Sequence, residues 1–337
     1  MPTQFTDPGF SEFIAKDTKR WTMQESTIVE VTDVLLEPER LLGSREGRQL
    51  VEQTIVYKHD RQYPFILPNL LRPAKCTSFD VAIWYDGSAT RNYYHHFVDA
   101  LSSLQLLEQS GLPADTPLLI TRQMYEMDFF QYLYRRSPEM QKLNWYVVGP
   151  KEWVKVKKLY KFNTAAFSPA SWRNMRALYN LPNNAPWRKV FLNRDRRRYG
   201  RYLDNEDEVV AMLKRHGFEE VFAENLNIEQ QAALFQETKY LVALTGAGLI
   251  QQFFMTYAQG HVIEIMPRNR LMPEYYWQAH TLGMHYYDVV VGGNMRAGKE
   301  YPVEVNMLEI AVVRMLENQS AGRNYGLTHL PAATPNN

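Results

Sequence analysis

The chain alternates between short runs of apolar residues and longer segments in which apolar residues recur every three or four positions. This alternation predicts β-strands joined by helices, the pattern of an α/β protein with parallel sheets and right-handed crossovers. The predicted strands lie at residues 27–36, 53–57, 81–85, 117–121, 145–148, 190–193, 220–223, 240–245, 261–266 and 286–291. The predicted helices lie at residues 93–109, 124–135, 205–217, 228–237, 246–255, 275–282 and 303–317.

The length of 337 residues favours two domains, and the Pro- and Asn-rich segments between residues 160 and 187 are typical of a linker. We also predict that the Lys-rich stretch at residues 151–161 is a strand with a solvated face. The predicted organisation is an N-terminal α/β domain (1–165), a C-terminal Rossmann-like domain (166–300), a last helix (301–319) and a flexible polar tail (320–337).

Composition narrows the class of protein. The 38 basic and 37 acidic residues leave a net charge of +1, which argues against nucleic-acid binding through global charge. The single cysteine, Cys76, excludes an internal disulfide framework and a cysteine-rich zinc site. The N-terminus lacks a signal-peptide pattern, and the apolar stretch at residues 240–257 fits a strand, a turn and a buried helix better than a membrane span. We expect a cytoplasmic protein or one attached peripherally to the inner face of the plasma membrane.

Several catalytic motifs are missing from the sequence. It contains no HExxH, no CxxC, no G-x-S-x-G and no G-x-x-x-x-G-K-[ST] phosphate loop. It also lacks the Asp-X-Asp pair with which many glycosyl-transferring enzymes hold a divalent metal. The sequence therefore predicts no metal site.

The segment T-G-A-G-L at Thr245–Leu249 follows a predicted buried strand and begins a predicted helix. Glycines allow a phosphate to approach such a turn, and the helix N-terminus favours its negative charge. A turn that needs glycine only for its backbone geometry would give the same pattern. A nicotinamide-binding fingerprint is disfavoured, because Gln251 occupies the position of its third glycine.

An arginine-rich loop follows the first strand of the second half. Seven basic residues and one acid lie between Arg188 and Arg201. Guanidinium groups suit phosphate oxygens and keep their charge, so we predict an anion site that faces the same crevice as the glycine turn. The alternatives are a solvated basic loop and a docking patch for an anionic lipid surface.

Glu264 is an acid inside an otherwise apolar predicted strand. Burying such a group is costly without a partner. It could bind a ribose diol at the end of the strand, as acids do in nucleotide-binding folds. The alternative is a structural ion pair with a loop arginine.

The predicted helix at residues 93–109 begins with a polar cluster. His95 and Asp99 are four residues apart and share a helix face, and Asn92 lies one turn earlier. A histidine that a carboxylate holds in one tautomer is a candidate general base. A polar helix face with a satisfied histidine is the alternative.

These segments, taken in order, resemble glycosyltransferase family 61, which contains bacterial capsular-polysaccharide biosynthesis proteins, plant xylan xylosyl- and arabinosyltransferases and O-linked GlcNAc transferases. The resemblance covers roughly residues 80–317. The matching positions are Asn92, His95, Asp99 and Leu101; Asn193, Arg194, Arg201, Asn205 and Glu206; Gly246–Leu249; Val262–Pro267; and the later segment W-Q-A-H-T-L-G-M-H-Y-Y. The sequence departs from the family at Thr245, where a histidine usually precedes G-A-G.

The resemblance implies a GT-B architecture, with two facing Rossmann-like domains, a cleft between them and a C-terminal helix that crosses back to the first domain. It implies that His95 and Asp99 are catalytic, with His95 favoured as proton acceptor, and that Asn92 and His96 lie on the acceptor side. The donor-binding residues that it implies are Arg194, Arg198, Arg201, Thr245, Gly246, Ala247, Gly248 and Glu264.

The function that follows is an inverting, metal-independent transfer of a sugar from a nucleotide-diphosphate donor to a glycan or lipid-linked acceptor, in capsular or surface polysaccharide biosynthesis. The nucleotide sugar is a co-substrate, and no cofactor is expected. A non-catalytic nucleotide-sugar-binding or scaffold protein of a glycan assembly machine is the alternative, because Thr245 could mark lost activity. A dinucleotide oxidoreductase is a third, poorer choice.

Overall fold

A computed structural model describes the fold. The residues that it describes are 10–14, 26–38, 41–45, 49–51, 75–85, 93–163, 169–182, 185–198, 200–256, 259–297 and 299–317. Contacts divide the chain into two compact units, which we call the N-terminal unit (Gln24–Asn180) and the C-terminal unit (Met1–Met23 and Leu181–Asn337).

This division differs from the predicted domains at two places. The helical residues 10–14 group with the C-terminal unit, and the helix Pro169–Tyr179 groups with the N-terminal unit. The second difference arises because this helix packs against the helical segments Leu101–Leu106 and Asp128–Arg136. The tail predicted at residues 320–337 lies outside the described residues.

The N-terminal unit contains a seven-stranded mixed sheet in the order β3-β2-β1-β7-β4-β5-β6. Strands β7, β4, β5 and β6 are parallel, whereas β1 is antiparallel to β7 and continues into the antiparallel strands β2 and β3. The predicted strand at residues 53–57 lies outside the described residues. The strands are β1 (Thr27–Leu36), β2 (Gly43–Arg45), β3 (Gln49–Leu50), β4 (Lys75–Trp84), β5 (Leu118–Thr121), β6 (Trp145–Val148) and β7 (Glu152–Asn163).

The helix predicted at residues 93–109 is a succession of short turns of different type. An α-turn at Tyr93–His95 leads into a π-helical turn at His96–Ala100, and 3-10 turns follow at Leu101–Leu106 and Glu108–Ser110. Serine hydroxyls donate to backbone carbonyls where the pattern changes, since Ser102 Oγ lies 2.5 Å from the oxygen of Val98. Such side-chain bonds compete with the regular helical pattern. The α-helices that follow are Arg122–Tyr125, Asp128–Arg136, Pro138–Lys142 and Pro169–Tyr179.

The C-terminal unit contains a five-stranded sheet in which every strand is parallel to its neighbours. The strands are β8 (Arg188–Asn193), β10 (Glu219–Phe222), β11 (Thr238–Leu244), β12 (His261–Pro267) and β13 (Tyr286–Gly292), and the short strands β9 (Tyr202–Leu203) and β14 (Glu300–Tyr301) form a separate parallel pair. The spatial order is β10-β8-β11-β12-β13. The chain therefore moves outward from β8 to β10 and then returns to the other side of β8 with β11. This reversal is the topological switch point of a doubly wound α/β sheet.

Helices connect these strands, as the periodicity predicts. The predicted helix at residues 246–255 is a 3-10 helix, Ala247–Phe254. It follows β11 directly, so the apolar stretch that begins at Tyr240 is a strand, a turn and a buried helix, as predicted. The other helical segments are Glu206–Arg215, Ala223–Asn225, Ile228–Glu237, Glu274–Thr281 and Val305–Glu317.

The last helix, Val305–Glu317, packs inside the C-terminal unit. Its buried residues Leu308, Ala311, Val312 and Met315 belong to the hydrophobic core that β11, β12 and β13 build. Met307 and Ile310 of the same helix are exposed, and the predicted crossing to the first domain stays a prediction. Within the described part of the chain, no helix combines the length and the apolar character needed to cross a membrane.

Candidate functional site

Two predicted motifs meet at the switch point of the C-terminal sheet. The arginine-rich loop leaves β8 after Asn193, and the glycine turn leaves β11 after Leu244. Strands β8 and β11 are parallel neighbours, so their carboxyl ends lie at the same edge. Ligands of doubly wound sheets bind in the crevice that opens at this position. We call this edge the switch-point crevice.

Arg194 and Gly246 lie against each other in the switch-point crevice. Gly246 has a φ of +134°, which side chains rarely adopt. A Cβ atom built on it would collide with Nη2 of Arg194 and lie 2.9 Å from its Cζ atom. Because Gly246 has no side chain, the Arg194 guanidinium can lie directly over the turn.

The backbone after Gly246 presents the start of the 3-10 helix. Its first turn closes with the Leu249 N–H group donating to the oxygen of Gly246 at 2.8 Å. The first N–H groups of a helix have no intrahelical partner, and the helix dipole makes this end positive. A Cβ atom on Gly248 would lie 3.3 Å from Leu192 of β8, so the turn packs closely on the strand. The helix start and the Arg194 guanidinium together suit an anion.

Arg201 lies within electrostatic range of Arg194 and Arg270. Burial lowers the pKa of Arg201, and repulsion from Arg194 and Arg270 lowers it further, while Tyr275 and Tyr301 oppose the shift. Cations so arranged repel each other, and an anion bound among them would relieve that repulsion. The pattern of residues did not identify Arg270. The sequence feature that could have identified Arg270 is its position just after β12, whose carboxyl end lies at the same edge of the sheet as the arginine-rich loop.

Arg198 occupies a different part of the loop. Its side chain is exposed, and Nε lies 3.8 Å from the Asp195 carboxylate. Arg197 binds the same carboxylate at 3.1 Å, and this hydrogen bond lowers the pKa of Asp195. The loop thus divides into Arg194 and Arg201, which approach the crevice, and an outer pair around Asp195.

Glu264 is fully buried in β12, below the edge of the sheet. The Tyr287 hydroxyl donates to its Oε2 atom. Burial raises the pKa of Glu264 to about 8, although the hydroxyls of Thr245 and Tyr287 and the charge of Arg194 oppose the rise. Among the described residues, neither Oε1 of Glu264 nor Oγ1 of Thr245 has a well-aligned hydrogen-bond partner.

The burial of Glu264 affects both interpretations of its role. Solvent does not reach the side chain, so a ribose diol could contact it only after neighbouring groups move. A carboxyl group with a pKa of about 8 is mostly protonated at pH 7, which also weakens an ion pair with Arg194. Glu264 therefore fits the role of a neutral carboxylic acid that forms hydrogen bonds beneath Thr245.

In the N-terminal unit, His95 and Asp99 contact each other as their spacing predicts. Nδ1 of His95 lies 2.6 Å from Oδ2 of Asp99, and the two side chains are 23% and 44% exposed. With Nδ1 engaged by the carboxylate, Nε2 is the nitrogen that can accept a proton from another molecule.

His96 does not share this position because its side chain is buried, and its acceptor-side role stays a prediction. The ring is fully buried and lies 4.5 Å from the ring of Phe129 and 5.1 Å from that of Phe97. Burial lowers the pKa of His96 to about 3, so it is a neutral core residue. Asn92 lies outside the described residues.

The described parts of the chain contain no group of three or more His, Cys, Asp or Glu side chains that could hold a metal ion. Metal independence of the reaction itself stays a prediction.

The sheet order defines the C-terminal unit as a doubly wound α/β unit, and the glycine turn and Arg194 meet at its switch point. The family model for Glycosyltransferase 61 matches residues 93–262, about half of the chain, and the chain belongs to this family. Membership implies glycosyltransferase activity. The match includes His95, Asp99, the arginine loop and the glycine turn, whereas Glu264 and Arg270 lie beyond it. No curated protein shows significant similarity to the chain.

Proposed function

We propose that this protein is an inverting, metal-independent glycosyltransferase that uses a nucleotide-diphosphate sugar. The supporting observation is the Arg194 guanidinium seated over Gly246 at the switch point, beside a helix N-terminus. This combination offers positive charge and directed N–H groups to a diphosphate. The proposed acceptor is a glycan or lipid-linked glycan of a surface or capsular polysaccharide, at the cytoplasmic face of the membrane.

The chemistry of the leaving group explains why such a site would be useful. As the bond from the anomeric carbon to the diphosphate breaks, negative charge accumulates on the diphosphate. Arg194, Arg201 and the N–H groups that follow Gly246 would stabilise that charge, and their fixed positions avoid reorganisation during the step. Arg270 would add a third cation at the same edge.

On the acceptor side, we propose that His95 removes the proton of the attacking hydroxyl through Nε2. Asp99 holds the ring through Nδ1 and stabilises the imidazolium that forms. The hydroxyl oxygen then bonds to the anomeric carbon from the face opposite the diphosphate. The configuration at this carbon is inverted, and the proton stays on His95.

Thr245 supports a second candidate function. It stands where the family usually has a histidine, and its buried hydroxyl has no well-aligned partner among the described residues. A protein in which that histidine is essential would bind a nucleotide sugar without transferring it. Such a protein would act in a glycan assembly machine as a binding subunit.

Calorimetric titration with UDP, GDP, CDP and ADP in EDTA tests the proposed site. We expect one nucleotide to bind and Arg194→Ala to weaken its binding by about 10- to 150-fold, the range for loss of a hydrogen bond to a charged group. Arg197→Ala is the matched control, since Arg197 is exposed and binds Asp195. Binding of none of these nucleotides, or equal affinity in the two variants, would contradict the proposed site.

A further inference from the structure

Asp99 lies in the widest turn of its helical segment. Residues His96–Ala100 form a π-helical turn, in which the N–H group of Leu101 donates to the carbonyl oxygen of His96, five residues earlier. The next turns, Leu101–Leu106, are a 3-10 helix, which is tighter than an α-helix. The type of turn therefore changes within two residues of Asp99.

The width of this turn determines whether Asp99 faces His95. The two residues are four positions apart, which rotates their side chains by about 40° relative to each other in an α-helix. In a 3-10 helix, the same spacing rotates them by about 120°. The separation of 2.6 Å between Nδ1 of His95 and Oδ2 of Asp99 is therefore incompatible with a 3-10 helix through residues 95–99.

Two buried serines bind the backbone on either side of Asp99. The Ser102 hydroxyl donates to the carbonyl oxygen of Val98 at 2.5 Å. The Ser103 hydroxyl donates to the carbonyl oxygen of Ala100 at 2.6 Å. The two serines are 1% and 4% exposed, so water does not compete for these bonds. The carbonyl groups of both residues adjacent to Asp99 are thus fixed by serine hydroxyls.

We propose that Ser102 and Ser103 are positioning residues that keep Asp99 directed at His95. Their hydroxyls compete with backbone N–H groups for the same carbonyl oxygens, so they stabilise a turn that departs from the regular helical pattern. Single π-turns within helices are frequent at functional sites. Without the two hydroxyls, we expect the 3-10 pattern to extend toward Asp99 and to turn its carboxylate away from His95.

The direction of Asp99 determines which tautomer His95 adopts. A carboxylate at Nδ1 accepts the proton that this nitrogen carries, so Nε2 is left without a proton. Removal of a proton from a hydroxyl by Nε2 requires this tautomer. The role of the serines in catalysis rests on the proposed function, whereas their effect on the His95 tautomer does not.

The tautomer of His95 is a readout that a merely structural role of the serines would leave unchanged. Nitrogen NMR shifts of the ring, detected through its carbon-bound protons in the full chain, distinguish the Nδ1–H from the Nε2–H form. The spectra are recorded at alkaline pH, where imidazole side chains are neutral, and His95→Gln identifies the resonances. We expect mainly the Nδ1–H form in the wild type. In Ser102→Ala/Ser103→Ala we expect mainly the Nε2–H form, which imidazole prefers without an acceptor at Nδ1.

Ser110→Ala is the matched control. The Ser110 hydroxyl donates to the carbonyl oxygen of Leu107 at 2.6 Å, so this variant loses an equivalent bond farther along the same run of turns. It should keep the Nδ1–H form. Ser102→Thr retains the hydroxyl and should also keep this form, since Ser102 lines a cavity of about 540 Å³ that has space for the additional methyl group.

The Nδ1–H form in Ser102→Ala/Ser103→Ala would overturn the proposal, and so would the Nε2–H form in the wild type. If the double variant does not fold, each single alanine variant carries the same test, with melting temperature as the check. In sugar transfer, kcat of the double variant should fall by up to about 100-fold, the effect of a misplacement of about 1 Å, while the donor KM stays the same. A changed tautomer with an unchanged kcat would refute His95 as the base and leave the positioning role in place.

Discussion

Arg194 and Gly246 show how single residues build the crevice. The backbone at Gly246 adopts a φ that side chains avoid, and the space where its Cβ would lie holds the Arg194 guanidinium. The sequence shows a glycine and an arginine at these positions but not that they are in contact, since they are about fifty positions apart. Parallel pairing of β8 and β11 brings them together.

The substitution Gly246→Ala should therefore weaken both the fold and the anion site. A side chain at this φ costs about 1–3 kcal/mol, and the methyl group would also displace the Arg194 guanidinium. Urea unfolding and nucleotide calorimetry measure the two losses. Gly200→Ala is the control, because its Cβ would meet Lys299 only at 3.8 Å. Equal stability and equal affinity in the two variants would show that the turn tolerates a side chain.

Glu264 gives a second prediction at the residue scale, about stability and pH. Its pKa of about 8 in the folded state lies above the usual carboxyl value of 4.5. The folded protein therefore holds a proton that the unfolded chain releases, and this contribution to stability is present at low pH and lost as the pH rises to about 8. The free energy of unfolding should fall with pH by up to about 1.4 kcal/mol per unit relative to Glu264→Gln.

Urea unfolding at pH 5, 6, 7 and 8 checks this slope in both proteins. Parallel profiles for the wild type and Glu264→Gln would mean that Glu264 titrates normally. If the free energy of unfolding of the wild type instead rose with pH relative to that of Glu264→Gln, Glu264 would be an ionised carboxylate bound to a cation.

At the scale of elements, apolar periodicity predicted the parallel strands of the C-terminal sheet closely, because each is a short buried run between helices. It did not predict the type of helix at residues 93–110 or at Ala247–Phe254. Apolar spacing is similar in α-, π- and 3-10 turns, and local bonds such as that of Ser102 decide between them. Nor does a sequence pattern show that β1 pairs antiparallel with β7, since this pairing joins residues more than a hundred positions apart.

The helix Ile228–Glu237 illustrates an element whose start the sequence does specify. Asn227 forms a capping box with Gln230, in which each side chain binds the other residue's backbone N–H group at 2.9 Å. Asn227→Ala should reduce the free energy of unfolding by about 1 kcal/mol. Asn225→Ala, at a nearby exposed position outside the cap, should change it much less. Equal unfolding midpoints in urea for the two variants would contradict the role of the cap.

At the scale of the whole molecule, the net charge is only +1, although several arginines lie near one edge of the C-terminal sheet. The order of motifs allowed the family to be recognised, and the match over residues 93–262 confirms it. The burial of Glu264 depends on packing across strands and that of His96 on packing between helical segments, which the order of motifs does not encode. The two-domain GT-B arrangement stays a prediction.

The most direct test of the account is the release of nucleotide diphosphate from a nucleotide sugar, with and without acceptor, in the presence of EDTA. We predict that the wild-type protein turns over the donor at the same rate in EDTA as in Mn²⁺. Arg194→Ala should lose about 2–4 kcal/mol of transition-state stabilisation, while Arg197→Ala keeps wild-type turnover. Turnover that stops in EDTA and returns with Mn²⁺ would contradict a leaving group stabilised by arginine and the helix start. Wild-type turnover in Arg194→Ala would contradict it as well.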